Sequence, residues 1–265
     1  MQKQSDTIII ATVGPASGDK ETLKEMISSG MDMARLNMSW GDHEGHFEYI
    51  NNIREVAREA KKDVAIIMDL SGPRVVYEGG HRVDGESTII ITEKDKRDLA
   101  FGVEQGVDFF ALSFVKDVSD ILDLKDLLLE LNSSARVIAK IERKEAVDNC
   151  KDIIAESDMV MIARGDLGNE YPLGEIPFIE KQLLETAKEL EKPIIVATQM
   201  LLSMTENEEP SRAEVTDEVF AIINGADAVM LSEETANGKF PVEAIRAMEE
   251  IASRTENYHR GDYLN

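Results

Sequence analysis

Lys140 and Glu142 stand two residues apart in one apolar run, Arg136–Glu142, and Asp166 follows the next such run. In an extended strand, residues i and i+2 point to the same side. An ammonium and a carboxylate would then share a face, with a second carboxylate at the end of the neighbouring strand. Two carboxylates completed by water and substrate oxygens suit Mg²⁺, a hard cation that is rarely caged by protein alone. The chain has one cysteine and four histidines, with no Cys/His cluster to call for a softer metal. Lys140 beside such an ion would stabilise developing negative charge. The bland alternative is a plain ion pair between Lys140 and a neighbour.

These residues belong to a longer series. Each of eight apolar runs finishes on polar or charged side chains: Thr12; Arg35 and Asn37; Asp69; Ser113; Lys140 and Glu142; Arg164 and Asp166; Thr198; Ser232 and Glu234. Charged groups rarely enter a packed interior without partners, so a converging ring of them reads as a site. Gly165-Asp166-Leu167-Gly168 adds glycines that permit close backbone approach, and a helix starting there would offer N–H groups to an anion.

The elements that must position this ring are legible in the periodicity. The runs are Thr7–Val13, Met31–Asn37, Val64–Leu70, Val107–Phe114, Arg136–Glu142, Met159–Gly165, Pro193–Gln199 and Ala226–Ser232. They are short, rich in Ile, Val, Met and Ala, and mostly not alternating, as in strands buried on both faces. Helical patterns separate them, among them Lys20–Ser29, His43–Ala60, Glu93–Gln105, Val118–Leu131, Ile179–Leu190, Ala213–Ile223 and Val242–Glu256. Thr92, Ser211 and Pro241 mark helix starts, and Gly30, Gly106 and Gly225 mark ends. Eight strand–helix units over 265 residues predict an α/β fold, a single (β/α)8 TIM barrel over 1–265, whose sites lie at the C-terminal ends of the strands. One segment departs from the rhythm. Residues 74–91 carry Gly79-Gly80 and Asp84-Gly85 between Val75-Val76 and Thr88–Ile91, which predicts a short hairpin after the third strand.

Composition narrows the function classes. The formal net charge is −23, from 52 acidic and 29 basic side chains, which argues against nucleic-acid and anionic-membrane partners. The N-terminus lacks a signal-peptide pattern and no apolar run reaches membrane-spanning length, so a cytoplasmic location is expected. The single Cys150 precludes an intramolecular disulfide and has no paired histidine to make it a nucleophile. His43 and His46, with Asp42, Glu44 and Glu48, read as a capped, solvated helix start rather than a metal site. The twelve methionines read as core, and Glu206–Glu209 as solvated surface. Neither G-x-S-x-G nor G-x-x-x-x-G-K-[ST] occurs.

Several stretches together resemble the pyruvate kinase family: Ile10-Ala11-Thr12-Val13-Gly14-Pro15-Ala16-Ser17, Ala34-Arg35-Leu36-Asn37-Met38-Ser39, Ala139-Lys140-Ile141-Glu142, Ala163-Arg164-Gly165-Asp166-Leu167-Gly168, Ala197-Thr198-Gln199-Met200-Leu201, Ser211-Arg212-Ala213-Glu214 and Met230-Leu231-Ser232-Glu233-Glu234-Thr235-Ala236. The resemblance implies a barrel that moves a phosphoryl group from phosphoenolpyruvate to ADP, giving pyruvate and ATP in glycolysis with Mg²⁺ or Mn²⁺. It implies Glu142 and Asp166 as metal ligands, Lys140 and Arg35 as contacts to the phosphoryl group, and Thr198 and Ser232 on a proton path. It implies the backbone of Gly165 and Asp166, with Thr198, for the substrate carboxylate. It implies Asn37, Ser39, Asp69 and the Leu70 carbonyl as a K⁺ site.

The departures from the family pattern are specific. Arg74 stands where K⁺-dependent members have glutamate, which by the same resemblance implies a guanidinium that could replace the K⁺ charge. Val76 stands for an arginine, Trp40 for a histidine, Asn237 for a lysine and Glu233 for a glycine. The resemblance implies that the short hairpin over 74–91 replaces the family's inserted lid domain, and that this chain corresponds to the barrel without the family's C-terminal domain. Barrel-to-barrel contacts remain compatible with a homo-oligomer. The same barrel could alternatively serve a pyruvate-enolate lyase or oxaloacetate decarboxylase, or be a trimmed, non-catalytic barrel.

Overall fold

The computed structural model describes the backbone of residues 3–77, 80–83 and 89–261 and the side chains of 3–74 and 89–261. Eight parallel strands close into a barrel: β1 (Ile8–Thr12), β2 (Met33–Asn37), β3 (Ala65–Asp69), β6 (Phe109–Leu112), β7 (Arg136–Ile141), β8 (Met159–Ala163), β9 (Ile194–Ala197) and β10 (Ala228–Leu231). Their order around the barrel is β1-β10-β9-β8-β7-β6-β3-β2, closed by β1 against β2. The fold is the expected TIM barrel, each strand one to four residues shorter than its apolar run.

Two apolar layers hold it. Inside the barrel, Ile10, Met33, Ile67, Phe109, Ile138, Met161, Ile195 and Met230 belong to one buried cluster. The opposite faces of the same strands pack under the helices, as Ile9, Ala34, Met68, Phe110, Ala139, Ile162, Val196 and Val229 do. Burial on both faces explains why the strand runs are continuously apolar.

The surrounding helices are α1 (Lys20–Ser29), α2 (His43–Ala60), α3 (Glu93–Gln105), α4 (Val118–Glu130), α5 (Lys144–Asp148), α6 (Cys150–Glu156), α7 (Arg164–Glu170), α8 (Ile176–Glu189), α9 (Arg212–Ile223), α10 (Glu233–Ala236) and α11 (Pro241–Arg260). Thr92 and Ser211 each form a reciprocal capping box, satisfying orphan N–H groups at the helix start. Cys150 is buried at the start of α6, and burial pushes its thiol up.

The N-terminal rim carries a repeated device that periodicity did not reveal. Asp32, Asp108, Asp158 and Asp227 immediately precede β2, β6, β8 and β10, every second strand of the barrel. Each carboxylate accepts the backbone N–H of the adjacent earlier strand, from Ile9, Ile66, Val137 and Ile194, at 2.7–2.9 Å. Register between paired strands is therefore pinned at the bottom of the barrel by side chains. Glu249 and Glu256 on α11 do the same for the chain entering β1, accepting the amides of Gln4 and Ser5 and of Asp6 and Thr7.

After β3 the chain forms an antiparallel pair, β4 (Arg74–Tyr77) with β5 (Gly80–Val83), in register Arg74↔Val83 to Tyr77↔Gly80. The expected hairpin exists, but its second strand is Gly80–Val83 rather than Thr88–Ile91. Only two residues separate the strands, a common hairpin spacing. Gly79, Asp84-Gly85 and Thr88 lie outside the described residues, as does the Val76 side chain. No helix among the described residues is long and apolar enough to cross a membrane.

Candidate active site

The inward rows of the barrel change character toward the C-terminal rim. At two-residue steps, Ile10 gives way to Thr12, Met33 to Arg35 and Asn37, Ile67 to Asp69, Ala111 to Ser113, Ile138 to Lys140 and Glu142, and Met230 to Ser232. Strand alternation alone thus carries polar groups to the top of an apolar plug. There they border a cavity of about 610 Å³. Thr12, Arg35, Asn37, Arg74, Lys140, Gly165, Asp166, Thr198 and Ser232 line it. Asp69, Ser113 and Glu142 do not; they are buried beside the lining residues and hold them.

Lys140 is the hub of that support. Its Nζ donates to Ser113 Oγ at 2.7 Å and to Asp69 Oδ1 at 3.1 Å, and stands 3.3 Å from Glu142 Oε2. Arg35 reaches the same aspartate, Nε to Oδ2 at 2.7 Å, and its NH1 donates to Thr12 Oγ1 at 2.9 Å. Burial alone would raise the Asp69 carboxyl, but Lys140, Arg35 and Arg74 outweigh it and hold it down to about 2. Glu142 behaves oppositely. Burial pushes it up to about 7; Lys140 opposes the rise and the Asp166 carboxylate adds to it. Its Oε1 accepts the Phe114 N–H at 2.7 Å, whereas the buried Oε2 has no hydrogen-bond partner.

That orphaned oxygen tests the fit of a cation. A buried carboxylate with one oxygen outside any hydrogen bond, crowded by a second carboxylate, is relieved by a hard divalent ion. Among the described residues no group of three or more His, Cys, Asp or Glu could hold a metal by itself. Glu142 and Asp166 therefore fit an ion that takes its remaining ligands from water and substrate, and such an ion would compete with Lys140 for Oε2.

Around the rim, Gly165 N–H donates to Thr198 Oγ1 at 2.7 Å, so the amide expected to await an anion is engaged by a hydroxyl that also lines the cavity. Ser232 Oγ is buried without a partner. Thr198 and Gln199 have φ of 71° and 55°, and Phe114 has 62°. The other non-glycine residues at positive φ, Lys61, Asn132 and Glu191, lie just past helix ends, an ordinary place for it. The three at the rim are strained, at about 1–3 kcal/mol each, and such strain clusters at functional sites.

The expected monovalent site is drawn in differently. Asn37 pairs in register with Asp69, and Asn37 Oδ1 accepts the Ser39 N–H at 3.1 Å. Ser39 Oγ is buried without a partner. Asp69, however, already faces Arg35 and Lys140, with Arg74 near enough to lower it further. Leu70 is buried, and neither it nor Ser39 lines the cavity. The Arg74 guanidinium lies over the Phe114 ring, 5.0 Å from its centroid.

Two expectations are corrected. Arg164 does not join the ring; β8 ends at Ala163, and Arg164 opens α7 and turns to helices α8 and α9, bonding Glu180 and Asp217. His46 is not solvated. It is buried at the cavity wall, with Nε2 2.8 Å from the Trp40 carbonyl, and burial lowers its pKa. The signal was present, since His46 is in phase with Ile50, Ile53 and Ala57 on the buried face of α2. Asp42 does cap that helix, and His43 pairs with Asp98 at 2.8 Å.

The family model described as the pyruvate kinase barrel domain matches residues 4–91 and 80–245. This chain belongs to the pyruvate kinase family. A pyruvate kinase of Bacillus licheniformis is 38% identical over 94% of this chain and 57% of its own length. One from Thermococcus litoralis is 38% identical over 95% of this chain and 70% of its length, and one from Geobacillus stearothermophilus 36% over 94% and 57%. The chain thus spans little more than half the length of several curated pyruvate kinases it matches. The alignment to the Bacillus pyruvate kinase runs over 333 positions, more than the 265 residues here, so that relative has segments this chain lacks.

Proposed function

We propose that this barrel transfers the phosphoryl group of phosphoenolpyruvate to ADP, forming pyruvate and ATP. The observation that carries the reading is the linked set at the cavity floor: Arg35 and Lys140 anchored on Asp69, with Glu142 Oε2 near Lys140 but without a hydrogen bond, in the field of Asp166. Glu142 and Asp166 would hold Mg²⁺ or Mn²⁺, which when bound would neutralise charge on phosphoryl and enolate oxygens. Arg35, fixed through two of its nitrogens, presents a preorganised guanidinium to the phosphoryl oxygens. Lys140, held on three sides, faces the oxygen on which the enolate charge develops. Thr198 and the unpartnered Ser232 hydroxyl would move the proton to the enolate carbon, and the Gly165–Asp166 backbone with Thr198 would take the carboxylate. Arg74, sharing the field of Asp69 and Glu142, would make K⁺ at Asn37, Ser39, Asp69 and Leu70 dispensable.

The β4–β5 hairpin would stand where longer relatives carry a lid domain. The two-piece match meeting at residues 80–91 supports this. A lid excludes water and strengthens the electrostatics of transfer, so slower turnover is expected here. Pyruvate formation from phosphoenolpyruvate should require both ADP and Mg²⁺ in a coupled assay, and its absence in folded, metal-loaded protein would overturn the reading.

A second reading, enolate chemistry without nucleotide, rests on the mouth of the cavity. There Glu233 and Asn237 are exposed, offering a carboxylate and an amide to an incoming polyphosphate. Loss of oxaloacetate with Mg²⁺ well above the metal-only rate, without ADP, would favour it.

A further inference from the structure

The second buried ion cluster, behind the cavity wall, is used by no step above. Arg164 is 9% exposed. Its NH1 lies 3.2 Å from Glu180 Oε2 on α8 and 2.7 Å from Asp217 Oδ2 on α9. Its NH2 donates to the Thr198 carbonyl at 2.9 Å and contacts Met200 Sδ at 2.8 Å. Beside them Glu218 is fully buried, with neither carboxyl oxygen partnered. Two acids thus pair with one guanidinium, and a third lies within reach of its charge. A buried ion cluster is weak support for stability, because desolvation offsets the attraction, so its arrangement calls for another reason.

Thr198 supplies one. It is β-branched and at positive φ, a backbone state such residues avoid. Consecutive residues hold it at two points: Arg164 takes its carbonyl oxygen, and the Gly165 N–H donates to its hydroxyl. The guanidinium is a rigid fork, with one tine on the helices and the other on the strained rim. A lysine ammonium, a single point of charge on a flexible stem, could not span both.

We propose that Arg164, anchored by Glu180 and Asp217, is a positioning residue that holds the Thr198 hydroxyl at the cavity and thereby sets the affinity of the site for a small carboxylate. The inference rests on the reading that Gly165, Asp166 and Thr198 receive the substrate carboxylate.

Calorimetry on the full chain separates the two. Mn²⁺ alone is titrated first, then oxalate, a planar dianion resembling an enolate, at saturating Mn²⁺. Arg164→Lys should weaken oxalate by about tenfold or more while Mn²⁺ affinity stays within about twofold, because a displaced rim group costs orientation and not metal ligands. Asp217→Asn, at a half-exposed position, is the milder second variant and should weaken oxalate by about threefold. Unchanged oxalate affinity in folded Arg164→Lys overturns the proposal, and so does an equal loss of Mn²⁺ and oxalate, which signals general damage. Should Arg164→Lys not fold, unchanged oxalate affinity in Asp217→Asn overturns it. If the unsubstituted protein binds Mn²⁺ but no oxalate, the carboxylate reading itself fails. In steady state KM for the carboxylate substrate should rise and kcat should fall with it, because the same Thr198 hydroxyl is assigned to the proton path.

Discussion

The two ends of the barrel use carboxylates in opposite ways. At the N-terminal rim, Asp32, Asp108, Asp158 and Asp227 each accept a backbone amide from the neighbouring strand. The donor is part of the fold and needs no ligand. At the C-terminal rim, Asp69 faces two cations, while Glu142, Glu180 and Glu218 keep oxygens with no hydrogen-bond partner. Acids completed by main chain hold the barrel together. Acids left incomplete, at a fold end known for sites, await something else or tune what is already there.

The contrast breaks most sharply at Lys140. Lys140→Met should lower turnover by about 10³-fold, since it removes a preorganised cation from the place where charge develops. Circular dichroism should remain native, because Glu142 can take up a proton in place of the lost partner. Native-level turnover in this variant would remove the upper rim from the chemistry.

At the lower rim the expected signs reverse. The double substitution Asp108→Ala with Asp227→Ala should cost about 2 kcal/mol of stability, about 1 for each backbone bond lost at well-separated sites. Urea unfolding measures this, and kcat/KM should stay within about twofold of the parent. A large activity loss without a stability loss would show that the two rims are not separate.

Glu218 gives the smallest effect and the sharpest pH signature. Burial, with Asp217 adding, drives its carboxyl well above the ordinary 4.5, while Arg164 opposes. The folded chain therefore keeps this proton to higher pH than the unfolded chain does. Stability from this group is complete below about 4.5 and declines as pH rises from there toward the folded value. Glu218→Gln should be near neutral at about pH 4 and stabilising at about pH 8. Thermal midpoints across that range test it, and an equal effect at both ends would refute the assignment.

Much of the site was legible because strand side chains alternate. Lys140 and Glu142, two apart, had to share a face, and Thr12, Arg35, Asp69 and Ser232 extend rows already set by Ile10, Met33, Ile67 and Met230. Arg164 misled for the same reason, since its place after an apolar run suggested strand continuation, yet the chain turns into α7 there. The aspartate clamps were missed because each acts on a different segment, as Asp32 does on Ile9.

The chain's local patterns were enough for eight strands, their inward rows and the two acids and lysine of the floor, because hydrophobic period and residue type are properties of neighbours in sequence. Which groups complete one another was decided only by closure of the barrel. Asp69 acquired Arg35 and Lys140 from strands 34 and 71 residues away, and Thr198 acquired the grip of Arg164 across 34. Partner choice among buried charges depends on distance and desolvation, and both exist only once the elements are packed.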